Sequence, residues 1–513
     1  MKKNIRLILI ALIAYLALLG LLLLAETRAP EATIHNIWDA VWYSLITMTT
    51  VGYGDLAPVT GAGRVLGLIF ALCSIGILAA LISLGLRLIG GTLIPRLRLR
   101  LGRTRRWYAF SSENEDAAAL ARALTQDDPD CLVIFPEEDR GHAAGENLIR
   151  LAFDLEGLEK LKKGQEGLSL FCVGEDCWEN YTKALAAAER GIPAYCMADI
   201  AADRVPPELT LFSPREAVSR QYWKKHPLKK REDTVALIGC GETGSALLER
   251  ALLTNVFESG RSVKYHIFGD SASFIALHPE IIKALSGNDP GKDLLRFHPE
   301  DWTDARELIG RADRIILCFD TDRENLDAYE KLRSWYVAAG MVHVRLTDPV
   351  PGIDSFGGRN ESITPEFVMK DEINRRAVLL NDIYNEGSDH PVSWRDLTPF
   401  LRQSNIAAAD HLIVKARYLL DREDLTELTA EDCRLAYDRF QERYSLKADI
   451  LQETEHRRWM RFHQMYNWRY DPVRNNALRR HPLLIPYDQL PDAERRKDAY
   501  AWEMLGRLAE RNG

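Results

Sequence analysis

The sequence predicts a multidomain chain: an α-helical membrane head with two spans, two α/β units with parallel sheets, a helical connecting region and a small, mainly α module at the end. Three observations predict it. Charge is divided, with a net of +8 over residues 1–106 and −16 over the rest. Two uncharged apolar stretches lie in the basic part. In the acidic part, apolar strands alternate with helical segments, and the pattern starts twice.

At 513 residues, 46% hydrophobic and 27% charged, the chain has room for three or four domains. It is neither collagen-like, nor a disulfide scaffold, nor wholly disordered. A basic, apolar head on an acidic body excludes a nucleic-acid binder, which needs a basic body. The eight cysteines are scattered singly without a C-x-x-C pair, so zinc and thioredoxin-type chemistry have no support. Buried thiols in a reducing compartment are expected, which places the soluble part in the cytoplasm.

The head comes first, over 1–95. Residues 7–25 are nineteen uncharged, mostly apolar positions, enough to cross ~30 Å of hydrocarbon as a helix. This stretch is longer than a signal-peptide core, and a second one follows at 65–86. Lys2, Lys3 and Arg6 precede the first stretch; Arg87, Arg96, Arg98, Arg100, Arg103, Arg105 and Arg106 follow the second. Basic flanks on those sides put both termini in the cytoplasm of a multi-pass protein of the cell (inner) membrane.

Between the spans, residues 36–48 can form a helix too short to cross, followed by Thr49-Thr50-Val51-Gly52-Tyr53-Gly54-Asp55. Non-helical backbone at membrane depth is tolerated only when buried in protein or lining a water-filled path. Gly52 and Gly54 can take positive φ, which lets successive carbonyls point the same way. Residues 5–95 resemble the two-transmembrane potassium channels. The resemblance implies that Thr50, Val51, Gly52, Tyr53 and Gly54 offer carbonyl rings to K⁺, with the Thr50 hydroxyl at the inner end. It implies that the Trp42 indole holds Asp55, and that Gly76 is the inner-helix hinge; close helix packing is the alternative role for Gly76. Ile46 departs from the pattern, standing where some relatives pair a glutamate with the filter aspartate. One chain supplies one filter strand, so a homotetramer is implied.

The first α/β unit spans 104–228, with apolar strands at 107–110, 131–135, 168–173 and 195–197. Its first turn, Ser111 to Asp116, has no glycine and three carboxylates, so a phosphate finds no welcome there. The unit reads as a scaffold, and a ligand at that edge would be a cation, Ca²⁺ included.

The second unit spans 232–350. A strand at 234–238 runs into Gly239-Cys240-Gly241-Glu242-Thr243-Gly244 and then a helix, which is G-x-G-x-x-G in the setting it requires. Gly239, Gly241, Glu242, Thr243 and Gly244 are the candidate nucleotide loop. Asp270, at the end of the second strand, is the candidate ribose acceptor, although it lies further along than the usual spacing of about 20 residues. Asp320, at the end of a later strand, completes the candidate site. Together the two units, over 104–350, resemble the RCK domains of ligand-gated potassium channels. That resemblance implies a cytoplasmic ring that pulls on the inner helices, regulated by NAD(H) or another adenine nucleotide.

Residues 351–445 read as a helical connector with no evident chemistry. In 446–513, the blocks Glu455-His456-Arg457-Arg458-Trp459, Trp468-Arg469-Tyr470 and His481 to Tyr487 resemble the RyR domain. Trp459, Trp468, Tyr470 and Tyr487 could stack on a base with Arg457, Arg458 or Arg469 facing phosphate; equally, they could form an aromatic core. The expectation is a ligand-gated potassium channel without enzymatic activity, bound to a small nucleotide effector. A nucleotide-second-messenger receptor in a stress or anti-phage response differs from it mainly in the ligand. A membrane-anchored NAD-dependent oxidoreductase is the third reading, and the chain shows no substrate domain for it.

Overall fold

A computed structural model describes residues 15–49, 51–72, 106–137, 147–162, 167–200, 205–287, 292–335, 337 and 341–511. Residues 1–103 and 104–513 form two compact units. Thr50, Gly76 and most of the span expected at 65–86 lie outside the described residues, as does the start of the span expected at 7–25. Residues 15–26 and 61–72 are helical. Among the described residues, no helix is long and apolar enough to cross a membrane.

In the head, a helix at Ile37–Met48 is started by Asn36, whose side chain accepts from the Asp39 amide at 3.0 Å. Asp39 Oδ2 accepts in return from the Asn36 amide, so two otherwise orphaned donors are satisfied reciprocally. Leu19, Leu22, Ile34, Ala40 and Phe70 form a small core around this helix. Glu26 is fully buried, and its carboxylate accepts from the Val59 amide at 2.9 Å and the Thr60 amide at 3.0 Å. A buried anion at the start of the 61–72 helix is stabilised by unpaired N–H groups. A Cβ on Gly63 would overlap that carboxylate, and one on Gly67 would overlap the Tyr43 hydroxyl. Both positions must be glycine for the approach to be this close.

The larger unit holds two six-stranded parallel sheets. The first comprises β1 (Trp107–Phe110), β2 (Leu132–Phe135), β3 (Leu148–Arg150), β4 (Leu168–Cys172), β5 (Ala194–Met197) and β6 (Leu209–Phe212), in the order β3-β2-β1-β4-β5-β6. The second comprises β7 (Thr234–Ile238), β8 (Lys264–Phe268), β9 (Leu294–His298), β10 (Arg314–Leu317), β11 (Val342–Arg345) and β12 (Ser355–Phe356), in the order β12-β11-β10-β7-β8-β9. Counted from its own first strand, each sheet runs 3-2-1-4-5-6, the doubly wound dinucleotide-fold order. Residues on both faces are covered, which is why β1, β2 and β4 are buried at every position and read as apolar runs. The sixth strand of the second sheet lies beyond residue 350, where the sequence pattern placed the end of that unit.

The repeat extends to a side chain in each unit. Asn180 accepts from the Gly174 amide at 2.8 Å and donates to the Gly174 and Met197 carbonyls. Asn325 accepts from the Phe319 amide at 2.8 Å and donates to the Phe319 and Thr321 carbonyls. Each buried asparagine closes the loop that leaves the fourth strand of its sheet, satisfying backbone groups that no strand reaches.

The chain then crosses over. The helix Pro214–Lys225, which follows β6, packs on Glu242–Thr254 of the second unit, and the Trp223 indole donates to the Leu247 carbonyl at 2.9 Å. Residues after β12 return to the first unit, where Ile363, Phe367 and Val368 enter its core. The helix Ala430–Met465 runs through the boundary expected at 445/446, with a break in helical geometry at Lys447. Leu380, Leu412, Leu419, Phe440, Leu451, Trp502 and Leu505 share one core. The connector and the terminal module are therefore packed as one body, because neither buries its own apolar face alone.

Candidate functional site

The segment after the short helix is organised by one indole. Trp42 Nε1 donates to Asp55 Oδ2 at 3.0 Å, and the Trp42 ring lies nearly parallel to Tyr53, 6.4 Å between centroids. Gly52 and Gly54 adopt φ of 55° and 75°, the left-handed region that glycine enters freely. The Ile46 carbonyl accepts from the Val51 amide at 3.0 Å and the Gly52 amide at 3.2 Å, tying the loop to the end of the short helix. Ile46 itself is buried, and its apolar side chain can offer Asp55 no hydrogen bond. Thr50 and Gly76 lie outside the described residues.

The Gly239–Gly244 loop joins β7 to the helix Glu242–Thr254. Gly239 has φ of 94°, and a Cβ there would meet the Phe319 amide at 2.5 Å. A Cβ on Gly244 would overlap the Gly239 carbonyl. These two glycines are explained by the turn and by helix-on-strand packing alone. Gly241 differs, because a Cβ there would overlap the Asp320 carboxylate. An exposed carboxylate thus rests against the glycine that a pyrophosphate would approach. Thr243 is buried, whereas Glu242 is exposed at the helix start and ion-paired with Arg215. Asp270 is exposed and accepts from the Ala272 amide at 3.1 Å. The Cys240 thiol is pushed up to about 11 by burial, with Asp270 and Asp320 adding to the effect, so it is no nucleophile.

The corresponding edge of the first unit is closed. Glu113 is buried and held by Arg150 through Nε and Nη2 at 2.9 and 2.7 Å. Glu115, Asp116 and Asp348 all pair with Arg359. The carboxylates that suggested a cation there are matched by arginines of the same chain. Among the described residues, no group of three or more His, Cys, Asp or Glu side chains could hold a metal ion.

The seven tail residues are divided between interior and surface. Arg458 is buried and paired with Glu455 at 2.6 Å. Arg457 is half-buried and donates to the Phe257 carbonyl at 3.1 Å. Trp468 is buried against Phe400 and His463, and Trp459 packs on His463 at 4.1 Å between centroids. The Tyr487 hydroxyl lies 2.7 Å from Gln452 Oε1. Arg469 and Tyr470 are exposed on a two-residue strand paired with Arg480–His481. Arg215, Arg359 and Glu26 escaped the sequence reading: each acts on a partner far along the chain, and no local motif marks them.

Part of the chain, residues 7–90, matches the family model described as ion channel. It is 40% identical over 60 residues to a voltage-gated potassium channel of Aeropyrum pernix, covering 12% of this chain and 20% of that protein. It is 41% identical over 51 residues to potassium voltage-gated channel subfamily A member 10 of Mus musculus, covering 10% of each. The chain therefore spans a fifth or less of the length of these curated relatives. The solved GsuK channel is similar over 72% of this chain and 99% of its own, at 16% identity and a TM-score of 0.35. The GsuK channel bound to NAD is similar over 83% and 86%, at 12% identity and a TM-score of 0.30. The fold of the two α/β units rests on their own strand orders, given above.

Proposed function

We propose that this chain is the subunit of a homotetrameric, potassium-selective membrane channel whose opening is set by an adenine nucleotide at the Gly239–Gly244 loop. The observation that carries the pore reading is the Trp42–Asp55 hydrogen bond beside two glycines at positive φ. Backbone carbonyls aligned in that way replace the hydration shell of K⁺ when four chains surround one axis. Both termini lie in the cytoplasm on this reading.

The nucleotide reading is supported by the strand–loop–helix setting and by glycines that bring backbone close to the helix start. A ligand changes gating only if it binds open and closed states unequally, so the loop must alter its surroundings when occupied. In the tail, Arg469 and Tyr470 are the candidates left free for ligand contact.

The test is current through the purified channel in planar bilayers. K⁺ must carry it in strong preference to Na⁺, and millimolar ADP or NAD must change open probability without changing unitary conductance. Equal permeability to K⁺ and Na⁺ removes the pore reading. Unchanged gating with both nucleotides, or with Gly241→Asp responding like the natural protein, removes the loop as the sensor.

A further inference from the structure

The two α/β units are tied by a pair of arginines that occupy the same place in the repeat. Arg215 stands three residues beyond Phe212, the end of β6, and Arg359 three residues beyond Phe356, the end of β12. Each begins the arm that crosses to the other unit. Each also pairs with an aspartate that follows the fifth strand of its own sheet: Arg215 with Asp199 at 2.8 Å, and Arg359 with Asp348 at 2.6 Å. Finally, each reaches the first turn of the opening helix in the opposite unit. Arg215 pairs with Glu242, and Arg359 with Glu115 and Asp116. The two contacts are related as the halves of a two-fold interface are.

The halves are not equivalent chemically. Arg359 is 17% exposed, has three carboxylate partners, and faces an opening turn without glycine. Arg215 is 39% exposed, and its partner Glu242 is 68% exposed, so that contact is screened and easily exchanged. It also sits at the glycine loop, where Glu242, Asp270 and Asp320 would each repel a phosphate. A guanidinium is a planar fork suited to two oxygens of one phosphate.

We infer that Arg215 is the residue by which a nucleotide's phosphate is both bound and reported: it leaves Glu242 for the phosphate, and because it begins the helix Pro214–Lys225, that exchange alters the junction between the units. Arg359 is the fixed counterpart that holds the junction together throughout. This inference rests on the nucleotide reading of the Gly239–Gly244 loop and adds the residue that couples it to the first unit.

The test is the affinity of the full-length channel, in lipid nanodiscs, for ADP. Arg215→Ala weakens it by about tenfold or more, as expected for losing a charge-assisted contact. Arg215→Lys, a point charge without the fork, falls between. Glu242→Gln removes the competing partner and tightens ADP binding, and that gain shrinks when Arg215→Lys is added, whereas relief of the repulsion by Glu242 itself would persist. Arg359→Ala leaves ADP affinity as it was. An unchanged affinity in Arg215→Ala, or weaker binding in Glu242→Gln, overturns the inference while leaving the loop as the site. Should Arg215→Ala not fold, the Lys and Gln variants decide. Full ADP affinity in Gly241→Asp, or none in the natural protein, overturns the loop reading and this inference together.

Discussion

Arg220 closes a fork on Asp410, Nε to Oδ2 at 2.8 Å and Nη2 to Oδ1 at 2.9 Å, between helices 190 residues apart in sequence. Its remaining donors reach the Asn374 side chain at 2.6 Å and the Ile373 carbonyl at 2.7 Å. Arg250, on the helix that opens at the glycine loop, shares Asp410 at 3.2 Å. Three segments therefore meet at one carboxylate: the crossing helix Pro214–Lys225, the helix Glu242–Thr254 and the helix Pro399–Leu420. This node ties the glycine-loop helix to the C-terminal body.

Breaking the node leaves buried charge without a partner. Asp410→Ala strands the buried Arg220 and Arg250 guanidiniums together and should cost ~3–5 kcal/mol, whereas Arg220→Met leaves Asp410 paired with Arg250 and should cost less. Thermal melting of the two single variants checks this. A single variant that melts like the natural protein would show the pair to be unimportant.

Trp42→Phe keeps an aromatic ring beside Tyr53 and removes the pyrrole ring with the Nε1–H that holds Asp55. With Ile46 unable to supply a second partner, the filter should collapse sooner, and K⁺ current should decay faster in bilayer recordings. Gly52→Ala should abolish conduction, since a side chain at positive φ costs ~1–2 kcal/mol and turns the carbonyls. Sustained current in both variants would contradict this account of the filter.

Asp498 gives the terminal body a pH dependence. Burial, and after it the neighbouring Glu455 charge, pushes the Asp498 carboxyl up to about 7, with Arg458 and Lys415 opposing. His456 Nδ1 stands 3.6 Å from Asp498 Oδ2, and that oxygen accepts no hydrogen bond. A carboxyl raised on folding stabilises fully below its ordinary value near 3.8, and that contribution is lost as pH rises through about 7. The natural protein should therefore lose more melting temperature between pH 5 and pH 8 than Asp498→Asn, by a few degrees. Parallel losses in the two proteins would refute it.

Glu455 behaves in the opposite sense. Burial opposes its charge, but Arg458 and Lys415, the latter at 2.7 Å, outweigh burial and hold it at about 2. Its contribution is present at neutral pH and lost as pH falls from the ordinary carboxylate range toward 2. Glu455→Ala leaves Lys415 and Arg458 buried together and should cost ~3–5 kcal/mol at pH 7, read from melting. A loss as large at pH 3 as at pH 7 would argue against the ion pairs as the cause.

Arg469→Ala should leave melting within ~0.5 kcal/mol of the natural protein, because the residue is exposed, while Trp468→Ala should cost ~3–5 kcal/mol by opening a cavity beside Phe400. Only the arginine variant is a clean probe of the tail as a sensor. A changed nucleotide response in Arg469→Ala with unchanged melting supports that role, and an unchanged response removes it.

The sequence alone determined whatever depends on neighbours along the chain. The positive-φ glycines at 52 and 54, the Trp42–Asp55 spacing and the G-x-G-x-x-G turn were legible because a turn, a short helix and a glycine loop are each specified within about a dozen residues. So were the inner strands, whose burial on both faces leaves an apolar run. The four edge strands, β3, β6, β9 and β12, were not legible: β3 and β12 are too short to show a period, and β6 and β9 are only partly buried, so neither needs an unbroken apolar run. Tertiary structure alone decided which tail aromatics are interior, since Trp468 and Tyr470 look alike in sequence and differ only in what covers them. It also decided the roles of Glu26, Arg215, Arg220 and Arg359. An ion pair or a buried carboxylate is a relation between distant segments, and its partner is chosen by packing that no local pattern records.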